Sequence, residues 1–217
     1  RGYQKSKRIS WRINKDINIR SYGNPYIDIN EKAKKIIIKF SSVHQKVVIF
    51  NSVLDNWSIY AEGTSKLVEN LNSSSRFDTN LLTSLLTIQD SILNNAYVEI
   101  NNGYSEDSLN VIRSSGIFSK IKITNSFQDS VDFDFSNLIV ERLLVNNSGN
   151  DCLDLSYGSY SFNKVFLDGC SDKAISVGES SIANVNNINV KKANLGLVSK
   201  DSSFLKVRNA KFYDVLT

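Results

Sequence analysis

The side chains with the most chemical potential in this 217-residue chain are acids and lysines at regular intervals. Asp132 and Asp154 are 22 residues apart, Asp134 follows Asp132 by two, and Lys173 stands further along. Three carboxylates gathered into one patch repel each other, so one must keep its proton or a cation must sit among them. A proton-bearing acid beside an ionised one makes a general acid and base. Oxygen ligands of this kind also suit Ca2+, the one cofactor the residues suggest. Asp132, Asp134 and Asp154 are therefore candidate catalytic residues and candidate metal ligands, with Lys173 as a nearby base. The competing reading is an aspartate ladder whose charges are solvated or satisfied by turn amides and hydroxyls.

Around this patch stand Asn110, Ser156 and Ser176. Ser176, Glu179, Lys200 and Asp201 are candidate ligand-binding residues, and Glu179 and Asp201 are again 22 apart. The alternative for these charges is a ladder of surface ion pairs, which contributes little. Tyr157 and Tyr160, flanking Gly158-Ser159, are candidate stacking platforms, or else packing residues. Phe162, Phe166, Phe204 and Phe212 read as core stacks. Cys152 and Cys170 are 18 apart, four short of the spacing above. They should not stack on each other, and two free, packed thiols are expected. Two cysteines without a histidine partner do not make a zinc site.

The spacing of 22 comes from the element that must hold these residues. Leu109, Val131, Leu153, Ile175 and Leu197 recur in steps of 22, and so do Val111, Phe133, Leu155, Val177 and Ser199. Between them lie Asn110, Asp132, Asp154, Ser176 and Val198, mostly polar. Apolar–polar–apolar alternation is the signature of a strand with one face buried. A second strand repeats as Ile121/Ile123, Leu143/Val145 and Val165/Leu167, then as Ile188/Val190 and Ala210/Phe212. Before each first strand stands Asp107, Asp129, Asp151, Asp172 or Asn194, short side chains that can accept turn N–H groups. So short a repeat has no room for a crossover helix. The reading is an all-β, single-stranded, right-handed parallel β-helix with rungs of about 22 residues. Leu86, Ile88, Val98 and Ile100 continue it upstream, and Ile27/Ile29, Ile36/Ile38, Val48/Phe50 and Trp57/Ile59 alternate as strands.

Composition agrees. The chain has one proline and much asparagine, a residue that tolerates left-handed turns. Residues 1–20 carry seven basic side chains and one acid, so the net charge of +4 sits at the front. They are read as a basic flank, with the β-helix over 21–217, most regular from residue 80 and interrupted by a loop excursion near 62–80. No aromatic–basic interleaving along the repeats points to nucleic acid, and no run of 18 apolar residues would span a membrane. The chain begins at Arg1 and has no visible polar cap after Phe212. A fragment of a longer protein is expected, with a cap domain or a homo-oligomer at the open C-terminal end.

The runs Asn150–Ser156, Ser171–Ser180 and Leu195–Ser202 resemble right-handed parallel β-helix proteins of the pectin-lyase-like superfamily. The resemblance implies a secreted or cell-surface protein, bacterial in most such cases, with polysaccharide, acidic polysaccharide included, as partner. It implies either a non-catalytic scaffold presenting a polar face to glycan, or a polysaccharide lyase or glycoside hydrolase. A tailspike- or adhesin-like shaft is the third form. In a lyase, Ca2+ on the aspartates would bridge to a sugar carboxylate while Lys173 takes a proton. In a hydrolase, two carboxyls would share the work at separations that set the stereochemistry. His44 lies in Val43-His44-Gln45, not in the Gly-His-Gly motif of polygalacturonases. Pro25 lacks the flanking arginine of pectate lyases.

Overall fold

The computed structural model describes residues 7–13, 15–64 and 81–216. The chain is a parallel β-solenoid of about eight turns with rungs about 22 residues apart, and the described residues contain no helix. Strand order along the chain is β1 (Arg8–Ile13), β2 (Ile17–Tyr22), β3 (Tyr26–Asn30), β4 (Lys35–Lys39), β5 (Lys46–Phe50), β6 (Val53–Asp55), β7 (Ser58–Glu62) and β8 (Ser84–Gln89). There follow β9 (Ile92–Gly103), β10 (Asp107–Ile112), β11 (Ser115–Ser126), β12 (Asp129–Asp134), β13 (Asn137–Ser148), β14 (Leu153–Ser156), β15 (Ser159–Gly178), β16 (Ile182–Ser199) and β17 (Phe204–Val215). The longer strands bend at corners, so each turn contributes to three parallel stacks.

The first face stacks β5, β8, β10, β12, β14 and the ends of β15 and β16. The second stacks β6 and the first residues of β9, β11, β13, β15, β16 and β17. The third stacks β4, β7 and the later residues of the same long strands. The register is the one the repeat requires: Leu109 pairs with Val131, Val131 with Leu153, Leu153 with Ile175, and Ile175 with Leu197. Parallel rungs lie about 4.8 Å apart. Inward positions of all three faces merge into one core, with Phe118, Phe133 and Phe162 stacked through it at centroid separations of 6.3 and 6.4 Å.

Corners are built from repeating polar side chains. At the first-to-second corner the Oγ of Ser52, Ser91, Ser114 and Ser136 donates to the carbonyl two residues earlier. The backbone N–H of each of the first three donates to the Oγ of the serine one rung on. At the third-to-first corner Asn102, Asn125 and Asn147, all with φ near +60°, chain their amides at 3.2 and 3.1 Å. The asparagine content therefore serves left-handed turns, as the composition suggests.

The N-terminal end differs from the rest. β1 pairs antiparallel with β2, β2 with β5, and β3 with β4. Arg8 and Arg12 thus lie on β1, and residue 20 falls within β2. Of the expected excursion near 62–80, Glu62 ends β7, and residues 65–80 lie outside those described.

One sequence expectation is overturned here. Cys152 and Cys170 form a disulfide, with Cα atoms 5.4 Å apart. The reason is a neighbouring hydrogen-bond ladder. Ser108 donates to Ser126 at 2.8 Å, and Ser130 to Ser148 at 3.0 Å, each pair spanning 18 residues across the third-to-first corner. The cysteines occupy the same two places one rung further on. The geometry that matters runs across a corner, not up a column.

Candidate functional site

The first face carries the predicted acids. Asp132 pairs in register with Asp154, and Asp134 with Ser156, so the acids are neighbours as the spacing requires. Asn110, one rung below Asp132, donates from Nδ2 to Asp132 Oδ2 at 3.1 Å and to Asp134 Oδ2 at 2.8 Å. Asp154 Oδ1 accepts the N–H of Leu155 at 3.0 Å. Although on the outer side of the strand, Asp132 is 7% exposed; Asp134 and Asp154 are half-buried. Burial, then the charges of Asp107, Asp134, Asp154 and Asp129, hold the Asp132 carboxyl well above the ordinary carboxylate range. Among the described residues no group of three His, Cys, Asp or Glu side chains converges as a metal ion would require.

Lys173 faces elsewhere. Its Nζ contacts Asp172 and lies 3.4 Å from Asp151 Oδ1. Burial lowers its pKa, but the hydrogen bond to Asp172 and the charges of Asp151 and Asp172 outweigh that and raise it. Asp129 and Asp151 behave as the turn acceptors read from the sequence. Asp129 Oδ1 takes the N–H of Asp151 at 2.7 Å, and Asp151 Oδ1 takes the N–H of Lys173 at 2.9 Å. The residue in column with Asp151 is thus Lys173, not Asp172.

Two of the predicted ligand-binding residues are buried. Tyr160 is wholly inside, with its ring 5.8 Å from Phe133. Its hydroxyl lies 2.7 Å from the carbonyl of Ser156 and 3.0 Å from that of Phe133, and accepts the N–H of Ser136 at 3.4 Å. It fills the place where the serine ladder has Gly158, at which a Cβ would lie 2.3 Å from that hydroxyl. Tyr160 is therefore a corner strut and not a stacking platform. Ser176 is fully buried, and its Oγ has no hydrogen-bond partner among the described residues. Glu179, Lys200 and Asp201 are exposed at the first-to-second corner, with no salt bridge to one another among the described residues. Tyr157 is exposed there too, stacked at 4.6 Å on Phe135, which the sequence reading passed over.

The third face holds what that reading missed most. Phe166 points outward and is 41% exposed. It lies between the inward Val165 and Leu167, so strict alternation puts it outside. Phe204 is likewise outward, whereas Phe212 stands on an inward column of the last described rung and is nonetheless exposed; of the four, Phe162 is fully in the core. Leu144, Phe166 and Tyr213 floor a groove of about 460 Å³ over five rungs, bordered by Lys122, Lys191 and Lys211. Lys122 is paired with Glu99 at 2.7 Å and Lys191 with Asp168 at 3.7 Å. Beside it a second recess of about 240 Å³ is lined by Lys120, Arg142 and Lys164, with one acid, Glu141, which accepts from Asn163 Nδ2 at 3.0 Å. Arg142 and Lys164 stand directly opposite each other in register. Like charges so placed repel, and neither they nor Lys211 has a salt bridge among the described residues.

No helix among the described residues is long and apolar enough to cross a membrane. No protein-family model, curated protein or solved structure matches this chain.

Proposed function

We propose that this chain is an extracellular β-helix of the pectin-lyase-like kind that lays a polysaccharide along its third face as a binding scaffold. The observation that carries the reading is the groove over Leu144, Phe166 and Tyr213, open across five rungs and bordered by lysines. Five rungs span about 19 Å along the coil, room for a short run of sugar units. Aromatic rings beside polar tips suit the mixed surface of a sugar ring. The opposed Arg142 and Lys164 favour a glycan bearing carboxylate or sulfate, which would relieve their repulsion. The disulfide suits an oxidising, extracellular location.

Titration calorimetry with uronate-bearing and neutral oligosaccharides tests this. Phe166→Ala with Tyr213→Ala should weaken binding of the charged oligosaccharide at least tenfold while the fold is kept, since both residues are exposed. Binding that survives this double change would end the reading.

A second reading, a lyase or hydrolase working through the aspartates of the first face, is favoured by one observation: Asp132, whose carboxyl burial holds well above the ordinary carboxylate range, stands beside Asp154 on the next rung. Glycan turnover lost in Asp154→Asn would support it; no turnover with or without calcium would remove it.

A further inference from the structure

The second face differs in character from both others. Its outward positions form two columns over seven rungs. One runs Val53, Ile92, Ser115, Asn137, Ser159, Ile182, Phe204. The other runs Asp55 and Asn94, crosses the irregularity at Gly116, and continues Ile117, Ile139, Ser161, Asn184, Lys206. Ile92, Ile117, Ile139, Ile182 and Phe204 are 40–60% exposed. No charged side chain occurs in either column on the five inner rungs. Single exposed apolar residues need no explanation, but a contiguous patch free of charge has the make-up of an interface core.

The order along these columns is more informative than their composition. Read from either end, the first column gives apolar, Ile, Ser, Asn, Ser, Ile, apolar. The second gives an acid at one end and a base at the other, Asn next to each, and Ile139 at the centre; only Ile117 and Ser161, on either side of the centre, differ in kind. A two-fold axis parallel to the strands and passing through the central rung maps each column onto itself with its rungs reversed. Two copies face to face about that axis would set Ile92 on Ile182, Ser115 on Ser159, and Asn137 and Ile139 on their own counterparts. Asp55, which within its own chain is paired with Lys34 at 2.7 Å, would meet Lys206 with its exposed side.

We propose that a second copy of this chain docks on the second face, the two coils antiparallel about a two-fold axis at the rung of Asn137 and Ile139. Such an interface is isologous, and closes at two copies. Six steps of about 4.8 Å give a length of about 29 Å. With a width of about 15 Å, the footprint is roughly 450 Å² per copy, below the standard size of a stable interface. The dimer is therefore a weak one, populated only at high protein concentration. The glycan groove on the third face stays open, so this association does not depend on the proposed function.

Sedimentation equilibrium from low micromolar to millimolar concentration should show a monomer–dimer equilibrium. Ile139→Lys sets two lysines against each other and should weaken it at least tenfold with an unchanged melting temperature. Asp55→Lys and Lys206→Asp should each weaken it, and should restore it when combined. For orientation, Asp55→Cys protein mixed with Lys206→Cys protein should cross-link on oxidation, whereas neither should cross-link alone. A monomer at every concentration, indifference to Ile139→Lys, or self-cross-linking of Lys206→Cys would each overturn the proposal.

Discussion

Asp129 offers the sharpest test of how burial acts on the acids of this coil. Its side chain is 8% exposed, and its Oδ1 accepts two N–H groups, from Asp151 and from the side chain of Asn150, both at 2.7 Å. Burial, reinforced by the charges of Asp151 and Asp107 and opposed by those hydrogen bonds, pushes its pKa from 3.8 to about 7. When the chain unfolds, the carboxyl returns to its ordinary value. Between pH 3.8 and about 7 the folded protein therefore holds a proton that the unfolded chain has lost, and stability falls as pH rises through that window. About three pH units at 1.36 kcal/mol each make the cost on the order of 4 kcal/mol at its full extent. Asp132 and Asp151, both raised by burial first, act in the same direction. In Asp129→Asn the amide oxygen can keep both N–H donors without the charge, while its NH2 group needs a new partner at a cost of about 1 kcal/mol. The variant should be more stable than the wild type by about 2–3 kcal/mol at pH 8, and no more stable at pH 4. Urea unfolding curves at both pH values measure the difference. A wild-type protein that gains stability from pH 4 to pH 7, or a variant without advantage at pH 8, would refute the reasoning.

Two further outcomes concern the corners. Replacing both cysteines by serine should cost about 2 kcal/mol in urea unfolding: about 3 from opening a loop of this length, less about 1 from a Ser–Ser hydrogen bond like that of Ser130 and Ser148. Replacing both by alanine should cost the full 3 kcal/mol, about as the loop length requires. Tyr160→Phe keeps the buried ring but strips the hydroxyl beside the Ser156 carbonyl and the Ser136 N–H, and should cost about 1–3 kcal/mol in the same assay.

Much of this architecture was legible because one period governs it. The columns through Leu153 and Asp132 follow from counting in steps of 22, since every rung repeats the same backbone path. What the count could not show lies where the path bends. At a corner, residues 18 apart meet within a turn, so the cysteines could be placed only by noticing Ser108 with Ser126 and Ser130 with Ser148 at the same offset. Strand parity also changes at corners: Phe162 is inside and Phe166 outside, although both are even-numbered steps along β15. Tyr160 is hidden for a third reason, because Gly158 interrupts a serine ladder and leaves space that only a long side chain fills. Burial of Asp132 on the outer side of its strand has no signature in a local pattern of alternating residues.

The antiparallel strands at the N-terminal end carry a consequence for how such coils aggregate. A strand edge with free N–H and C=O groups can recruit another strand in either direction, unless its side chains discourage the approach. There, β1 runs against β2, and Arg8 and Arg12 set charge along it. The β1 edge is thus a poor seed for fibre growth, since a strand pairing with it would have to lie against two exposed guanidinium groups.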